Sequence, residues 1–386
     1  MRIAYVTETY PPEINGVALT VERCVAHLRA RHGPVLLVRP RQRDEAARDD
    51  AEEWRTAGAP IPMYPALRFG WATAGAVRRR LGRFRPDLVH VATPGPLGHA
   101  AARAAVAMGL PLTIDFRTNF HSYSRYYGLG LLEPMVCRYL RSLHDRADCS
   151  FVPTRAMVRQ LEAQGFDRLA VVGRGVDARR FTPAKRSAAL RLSWGARDDA
   201  PVLIGVGRLA AEKNVALALA AFDAVKAANP RARLVLVGDG PLEARLRAQR
   251  SDVIFAGVQR GEALAMHYAS ADLMLFPSES ETFGNVTLEA MASGLAVVAF
   301  DLAAAAEHIV DGASGWLAPP GDAQAYVQTA LTAALAAPED TRPLRRRARE
   351  HALAHGWPEV LETFAARLAR HAMHGATERW RDVALA

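Results

Sequence analysis

Two separate series of short β-branched runs, each run followed by a longer stretch of helical spacing, dominate the 386 residues. The first series is Ile3–Thr7, Val35–Val38, Leu88–Val91, Leu112–Asp115, Ser150–Val152 and Ala170–Val172. The second is Val202–Val206, Leu234–Val237, Val253–Phe255, Leu273–Phe276 and Ala296–Ala299. Continuous apolar runs suit strands buried on both faces, and helical crossovers make neighbouring strands parallel. The pattern predicts an α/β chain with two doubly wound, Rossmann-like domains facing a central cleft. It breaks at Phe181-Thr182-Pro183-Ala184-Lys185, which sets an N-terminal domain at residues 1–185 and a C-terminal one at 186–365. Beyond Gly356-Trp357-Pro358 a helix is predicted from about Glu359 to Arg370. Residues 366–386 are read as a terminal helix that packs back on the first domain.

Ligands of open parallel sheets collect beyond the carboxyl ends of the strands, so function is sought in strand-to-helix loops. After the first strand comes Thr9-Tyr10-Pro11-Pro12-Glu13-Ile14-Asn15-Gly16-Val17, where Gly16 leaves amides open at a helix start. An ordinary turn accounts for that loop equally well. After Val202–Val206 comes Gly207-Arg208-Leu209-Ala210-Ala211-Glu212-Lys213. An arginine fork and a lysine point charge flanking one loop suit a diphosphate. Lys213 is one of three lysines among 49 basic residues. Ala210 stands where a dinucleotide fingerprint has its third glycine, which disfavours a nicotinamide dehydrogenase. No Walker-type phosphate loop occurs either.

The strongest signal is Ser278-Glu279-Ser280-Glu281-Thr282-Phe283-Gly284-Asn285-Val286-Thr287-Leu288-Glu289. A strand ends just before it and a helix begins near Asn285. One carboxylate, Glu281, then precedes the helix and the other, Glu289, lies about a turn inside it. The amides of Gly284, Asn285 and Val286 can face an anion between them. A carboxylate accepts two hydroxyl protons, as a ribose or sugar diol requires. A helix cap plus a solvated glutamate would be the plain reading of the pair in isolation.

With these motifs the sequence resembles the retaining glycosyltransferases of family 4, which have the GT-B fold. The resemblance covers nearly the whole chain. It runs from Val6-Thr7-Glu8-Thr9-Tyr10-Pro11-Pro12 through Val89–Gly98 and Asp115-Phe116-Arg117-Thr118-Asn119-Phe120-His121 to Gly207-Arg208, Lys213 and the Glu281/Glu289 pair. Within the family it is similar to bacterial GDP-mannose-dependent α-mannosyltransferases that act on glycolipids. The resemblance implies a nucleotide-diphosphate sugar as donor and a lipid or glycan as acceptor. It assigns Arg208 and Lys213 to the diphosphate and Glu289 to the ribose. Glu281, with amides at Phe283, Gly284 and Asn285, would hold the transferred sugar. Gly16 would approach the phosphate, the loop around Gly257-Val258 would read the base, and His121 would lie near the reacting carbon. Many relatives carry His where Arg117 stands, so Arg117 and His121 both remain candidates for facing the sugar. Ala303-Ala304-Ala305-Ala306 replaces the usual Gly-Gly ahead of Glu307, which leaves the role of Glu307 open.

No Asp-x-Asp occurs and no His/Cys/Asp group shows metal-ligand spacing along the chain, so neither metal nor other cofactor is expected. The departing diphosphate would instead be neutralised by Arg208, Lys213 and helix amides. The reaction implied is same-face substitution at the anomeric carbon, with domain closure excluding water. A GT-B-type epimerase or phosphorylase would share this architecture.

Composition narrows the remaining classes. The net charge of +9 comes from the first half: residues 1–185 hold 28 Lys and Arg against 17 Asp and Glu, and residues 186–386 hold 21 against 23. The dense stretch Arg78-Arg79-Arg80-Leu81-Gly82-Arg83-Phe84-Arg85 suits a solvated helix face, an anionic membrane surface or a nucleic acid. No binding motif or aromatic ladder accompanies it, so no nucleic-acid partner is expected. No apolar run spans a bilayer, and Met1–Val6 reads as a strand rather than a signal peptide. The expectation is a cytoplasmic protein, peripheral on the inner face of the membrane. Cys24, Cys137 and Cys149, odd in number and widely spaced, read as free thiols.

Overall fold

The computed structural model describes every residue except 14–15, 43–44, 62–63, 117–132, 198–199, 280, 282 and 385–386. Its contacts divide the chain into two compact units, Met1–Gly173 with Pro358–Ala386, and Arg174–Trp357. The sequence boundary at residue 185 falls inside the second unit, because the Phe181–Lys185 segment packs with that unit's core through Phe181.

The first unit runs β1 (Ile3–Val6), α1 (Gly16–Arg31), β2 (Val35–Pro40), β3 (Glu53–Ile61), β4 (Tyr64–Trp71), α2 (Ala74–Phe84), β5 (Leu88–Val91), α3 (Pro96–Ala107), β6 (Leu112–Asp115), α4 (Glu133–His144), β7 (Cys149–Val152), α5 (Arg155–Ala163) and β8 (Leu169–Val171). Its sheet has the order β4-β3-β2-β1-β5-β6-β7-β8. All neighbours are parallel except β3 and β4, which form an antiparallel edge hairpin. The sequence pattern missed that hairpin. Its strands carry Pro60, Gly58, Gly70 and two arginines, Arg55 and Arg68, a composition that an edge tolerates and a central strand does not.

The second unit begins with a 3₁₀ turn at Pro183–Lys185. It continues α6 (Ala188–Ser193), β9 (Val202–Val206), a 3₁₀ turn at Ala211–Lys213, α7 (Val215–Ala228), β10 (Arg233–Val237), α8 (Glu243–Gln249), β11 (Ile254–Gly257), α9 (Gly261–Ser270), β12 (Leu273–Phe276), α10 (Asn285–Ala292), β13 (Ala296–Phe300), α11 (Ala303–His308), β14 (Trp316–Ala318), α12 (Ala323–Leu335) and α13 (Pro338–Leu353). The all-parallel sheet has the order β11-β10-β9-β12-β13-β14. Alternate strand residues divide between two cores: Ile204, Val235, Met274 and Val297 on one face, Leu203, Leu234, Leu275 and Val298 on the other. Both-face burial explains why these strands read as unbroken apolar runs.

The last helix, α14 (Trp357–Ala384), returns to the first unit. Phe364 makes edge contacts with Tyr5, His90 and Phe151, at ring-centre distances of 6.4, 5.1 and 5.9 Å. Glu362 sits 3.5 Å from His27 and 3.6 Å from His32. Among the described residues no helix is long and apolar enough to cross a membrane.

Candidate functional site

In the second sheet the chain winds outward from β9 through β10 to β11, then returns beside β9 as β12 and winds the other way. The loops after β9 and β12 therefore diverge at a topological switch point, where open α/β sheets form crevices. Arg208 and Lys213 lie in the first of these loops. Glu281, Phe283 and Gly284 lie in the second.

The loop after β9 is fixed by close backbone approach. Gly207 N–H donates to the Val237 carbonyl at 3.0 Å and Leu209 N–H to the Asp239 carbonyl at 2.6 Å. A Cβ on Gly238 would come within 2.0 Å of the Gly207 carbonyl oxygen, so only glycine fits there. Gly207 itself has φ near 149°, in the region that favours glycine. The chain then turns through 3₁₀ geometry at Ala211–Lys213 and starts α7 from Asn214 in the left-handed conformation.

Lys213 Nζ donates to Glu281 Oε1, which joins the two loops. Ser278 Oγ donates to the same oxygen at 2.9 Å. Glu281 is 14% exposed and Lys213 24%. Arg208 stays half-exposed, with one guanidinium nitrogen 3.5 Å from buried Glu212. The cations are thus held by carboxylates yet keep one side toward solvent.

Gly284 caps α10 with φ near 93°, and a glycine has no side chain to occupy the first amides. Asn285 and Val286 supply the next N–H groups, which lack intrahelical acceptors by the geometry of any helix start. Phe283 is buried, and its carbonyl accepts from Ala304 N at 2.8 Å. Glu289 lies one turn into α10, where Tyr268 Oη donates to its Oε2 at 3.1 Å. Tyr268 is fully buried; burial, and then Glu289, push its hydroxyl well above its usual range. Tyr268 and Ser278 escaped the sequence reading. Ser278 stood three residues from Glu281 in the same motif, but Tyr268 comes from a different helix with nothing local to mark it.

Val258 is exposed just past the carboxyl end of β11, two strands from β9. Gly16 opens α1 in the first unit. Arg117 and His121 lie outside the described residues. At Ala303 the backbone keeps a positive φ of 48° despite the side chain. Glu307 follows in α11.

The first sheet has its own switch point, between β1 and β5. Buried Glu8 fills it. Its carboxylate accepts from Gly70 N and Leu97 N, each at 2.8 Å, and its N–H donates to Thr93 Oγ1 at 2.7 Å. Burial outweighs these donors and raises Glu8 to about 7. A Cβ on Gly95 would overlap this carboxylate at 2.1 Å. Nearby, Pro94, Gly95, Pro96, His99 and Tyr139 line a surface hollow in which His99 stacks on Tyr139.

Residues 14–180 match the family described as Glycosyltransferase Family 4, and residues 200–335 match Glycosyl transferases group 1. A GDP-mannose-dependent alpha-mannosyltransferase of Mycobacterium tuberculosis is 33% identical over 369 residues, 94% of each chain. The chain belongs to glycosyltransferase family 4. This family-4 enzyme is a glycosyltransferase with the GT-B fold class. A further relative, the sulfoquinovosyl transferase SQD2 of Arabidopsis thaliana, is 30% identical over 92% of this chain and 71% of its own. Among solved structures, the sucrose-phosphate synthase of Thermosynechococcus elongatus gives a TM-score of 0.76 at 18% identity, covering 97% of this chain and 99% of that one. HepE of Anabaena, in complex with UDP, gives 0.74 at 19%, covering 96% and 100%. At such identities these neighbours speak to the fold alone. The comparisons favour neither an epimerase, a phosphorylase nor a nucleic-acid-binding protein.

Proposed function

We propose that this glycosyltransferase takes mannose from GDP-mannose and passes it, with retained anomeric configuration, to a lipid or glycan acceptor. The observation that carries the reading is the joining of Lys213 to Glu281 across the switch point, beside the glycine-capped start of α10. The 33% identity to GDP-mannose-dependent enzymes supports the choice of donor.

In this reading Arg208 and Lys213 neutralise the leaving diphosphate together with the amides of Gly284, Asn285 and Val286, without a metal ion. Glu289, oriented by Tyr268, accepts from the ribose hydroxyls. Glu281, oriented by Lys213 and Ser278, accepts from hydroxyls of the transferred sugar, against Phe283. Val258 would lie by the base; the resemblance assigns Gly16 to the phosphate and His121 to the reacting carbon. The bond from the anomeric carbon to the diphosphate oxygen breaks, the acceptor oxygen bonds on the same face, and the departing phosphate takes the acceptor proton. The exposed arginines Arg78, Arg79 and Arg83 on α2, with Arg85 just after it, suit an anionic bilayer that presents a lipid acceptor. That would make the protein peripheral on the cytoplasmic face.

The test is a thermal-shift panel of sugar nucleotides. A donor at a hundred times its Kd stabilises by about 2.7 kcal/mol, or roughly 5–10 °C for a unit of this size. GDP-mannose should give the largest shift. A larger shift with UDP-glucose, and none with GDP-mannose, would replace the proposed donor.

A further inference from the structure

Twelve histidines occur in the chain, and three of them meet in the second unit. His308 ends α11, His351 lies in the last turn of α13, and His355 follows one turn later. Each offers one ring nitrogen, and the three nitrogens lie within 4.8 Å of one another. The ring centres are 5.3, 4.8 and 4.3 Å apart. No three-ligand spacing is visible along the chain because the rings come from separate segments. His351 and His355 are one helical turn apart, but the third ring comes from 43 residues before His351.

The hydrogen count among these rings is incomplete. His355 Nδ1 donates to the His351 carbonyl at 2.8 Å, which fixes the tautomer and leaves its Nε2 with a lone pair. His308 Nδ1 and His351 Nε2 face each other at 3.1 Å and can share only one hydrogen. His308 Nε2 is buried with no hydrogen-bond partner. Burial first, then the two neighbouring imidazoles, bring His308 down to about 3, and burial lowers His351 as well. Both shifts favour the uncharged imidazole, the form that ligates metals, at His308 and His351.

We propose that His308, His351 and His355 bind one divalent cation of the zinc class, with solvent in the fourth position. A cation takes the place of the single hydrogen between His308 and His351. Two nitrogens bound to zinc at about 2.0–2.1 Å in a tetrahedron lie roughly 3.3–3.4 Å apart, close to the spacing already present. A small rotation of the partly exposed His355 ring completes the set. Three imidazoles and no carboxylate ligand select zinc, nickel, cobalt or copper over magnesium and calcium. The carboxylate of Glu307 is near enough to favour positive charge at His351, and it would favour the cation in the same way.

The cation would serve as a tie. α13 packs along α10, the helix that carries Glu289. The His308 ring packs edge-on against Phe283, with centres 5.6 Å apart. A metal here joins α11 to α13 beside the loop of Glu281 and takes no part in bond breaking.

The experiment uses the full-length chain, stripped with a chelator, dialysed and titrated with Zn²⁺ against a chromophoric competitor, without any sugar nucleotide. One equivalent should bind and raise the unfolding temperature. Co²⁺ in its place should give the intense visible bands of tetrahedral coordination. His351→Ala and His355→Gln, both at partly exposed positions, should each weaken binding by tenfold or more and abolish those bands, with unchanged circular dichroism. His27→Ala serves as control for the other cluster, His27, His32 and Glu362, and should leave binding intact. Absence of stoichiometric binding, retention of the bands in both variants, or their loss in His27→Ala would overturn the proposal. If one of the two variants misfolds, the other decides.

Discussion

Replacing Lys213 by alanine tests two quantities at once, because the same ammonium joins the two switch-point loops and is proposed to face the donor diphosphate. For stability the bounds are clear. An exposed ion pair contributes about 0–1 kcal/mol, and removing one partner of a fully buried pair costs about 3–5 kcal/mol. With Glu281 14% and Lys213 24% exposed, and Ser278 still donating to Glu281, the loss should be about 2 kcal/mol. Urea unfolding measures it. For turnover, withdrawing one preorganised cation from a leaving group costs about a hundredfold in kcat, or roughly 2.7 kcal/mol at 1.36 kcal/mol per factor of ten. Glu281→Gln separates the two roles. In that background the stability cost of Lys213→Ala should nearly vanish, since there is no carboxylate left uncompensated. The kcat cost should persist at tenfold or more, since the diphosphate charge is unchanged. If Lys213→Ala keeps kcat within threefold at saturating donor, or if the double variant matches Glu281→Gln in turnover, Lys213 acts only as a counter-ion to Glu281. The assignment to the diphosphate then fails.

Tyr268→Phe removes only the hydroxyl that holds Glu289; it should raise KM for the donor about five- to thirtyfold with little change in kcat, as the loss of one hydrogen bond to a carboxylate implies, and equal loss in kcat would argue against a ribose contact. Ala303→Gly relieves a left-handed alanine and should stabilise by roughly 0.5–1 kcal/mol after the glycine's own entropy cost, whereas a lower unfolding temperature would show that Ala303 is not strained. Glu8 is protonated in the folded chain up to about pH 7, against 4.5 for the ordinary group, so its contribution is full below 4.5 and is lost as pH rises through 7, a drop of about 3 kcal/mol. Glu8→Gln should flatten that part of a stability profile taken between pH 5 and 8, and an unaltered profile would place the Glu8 carboxyl at its ordinary value.

Legibility in the sequence followed burial. Strands β9 to β13 were visible because residues on both of the sheet's faces pack into a core, so all of them but Arg233 at the start of β10 are apolar. The hairpin β3–β4 was hidden because it sits at an edge and is tied in by charge. Arg39 on β2 is buried against Glu53 on β3 and Glu45, at 2.8 and 2.6 Å, and a strand stabilised by ion pairs lacks an apolar signature. The site divides the same way. Arg208, Lys213, Glu281 and Glu289 stood out because loops at a switch point carry their chemistry in consecutive residues. The groups that aim them did not. Tyr268 is 21 residues from Glu289 in sequence and reaches it only through the packing of α9 on α10. The three histidines are a stronger instance, since no window along the chain contains both α11 and α13.

The charges around the switch point nearly cancel: Arg208 lies beside Glu212, and Lys213 beside Glu281. A site built to concentrate phosphate by potential alone would omit those carboxylates, because each weakens the field of its partner. What the carboxylates supply is position. They hold two long, rotamer-rich cations before any donor arrives, so less side-chain entropy remains to be lost on binding. The helix amides add donors that are fixed by the backbone and require no counter-ion. Donor affinity in such a site rests on geometry more than on net charge, and net charge is what salt screens. Among the described residues the basic excess of the first unit has no such pairing along Arg78-Arg79, which are exposed on α2. If that face meets an anionic surface, acceptor use should fall steeply with ionic strength while donor binding changes little. The two halves of the reaction would then respond to salt differently within one chain.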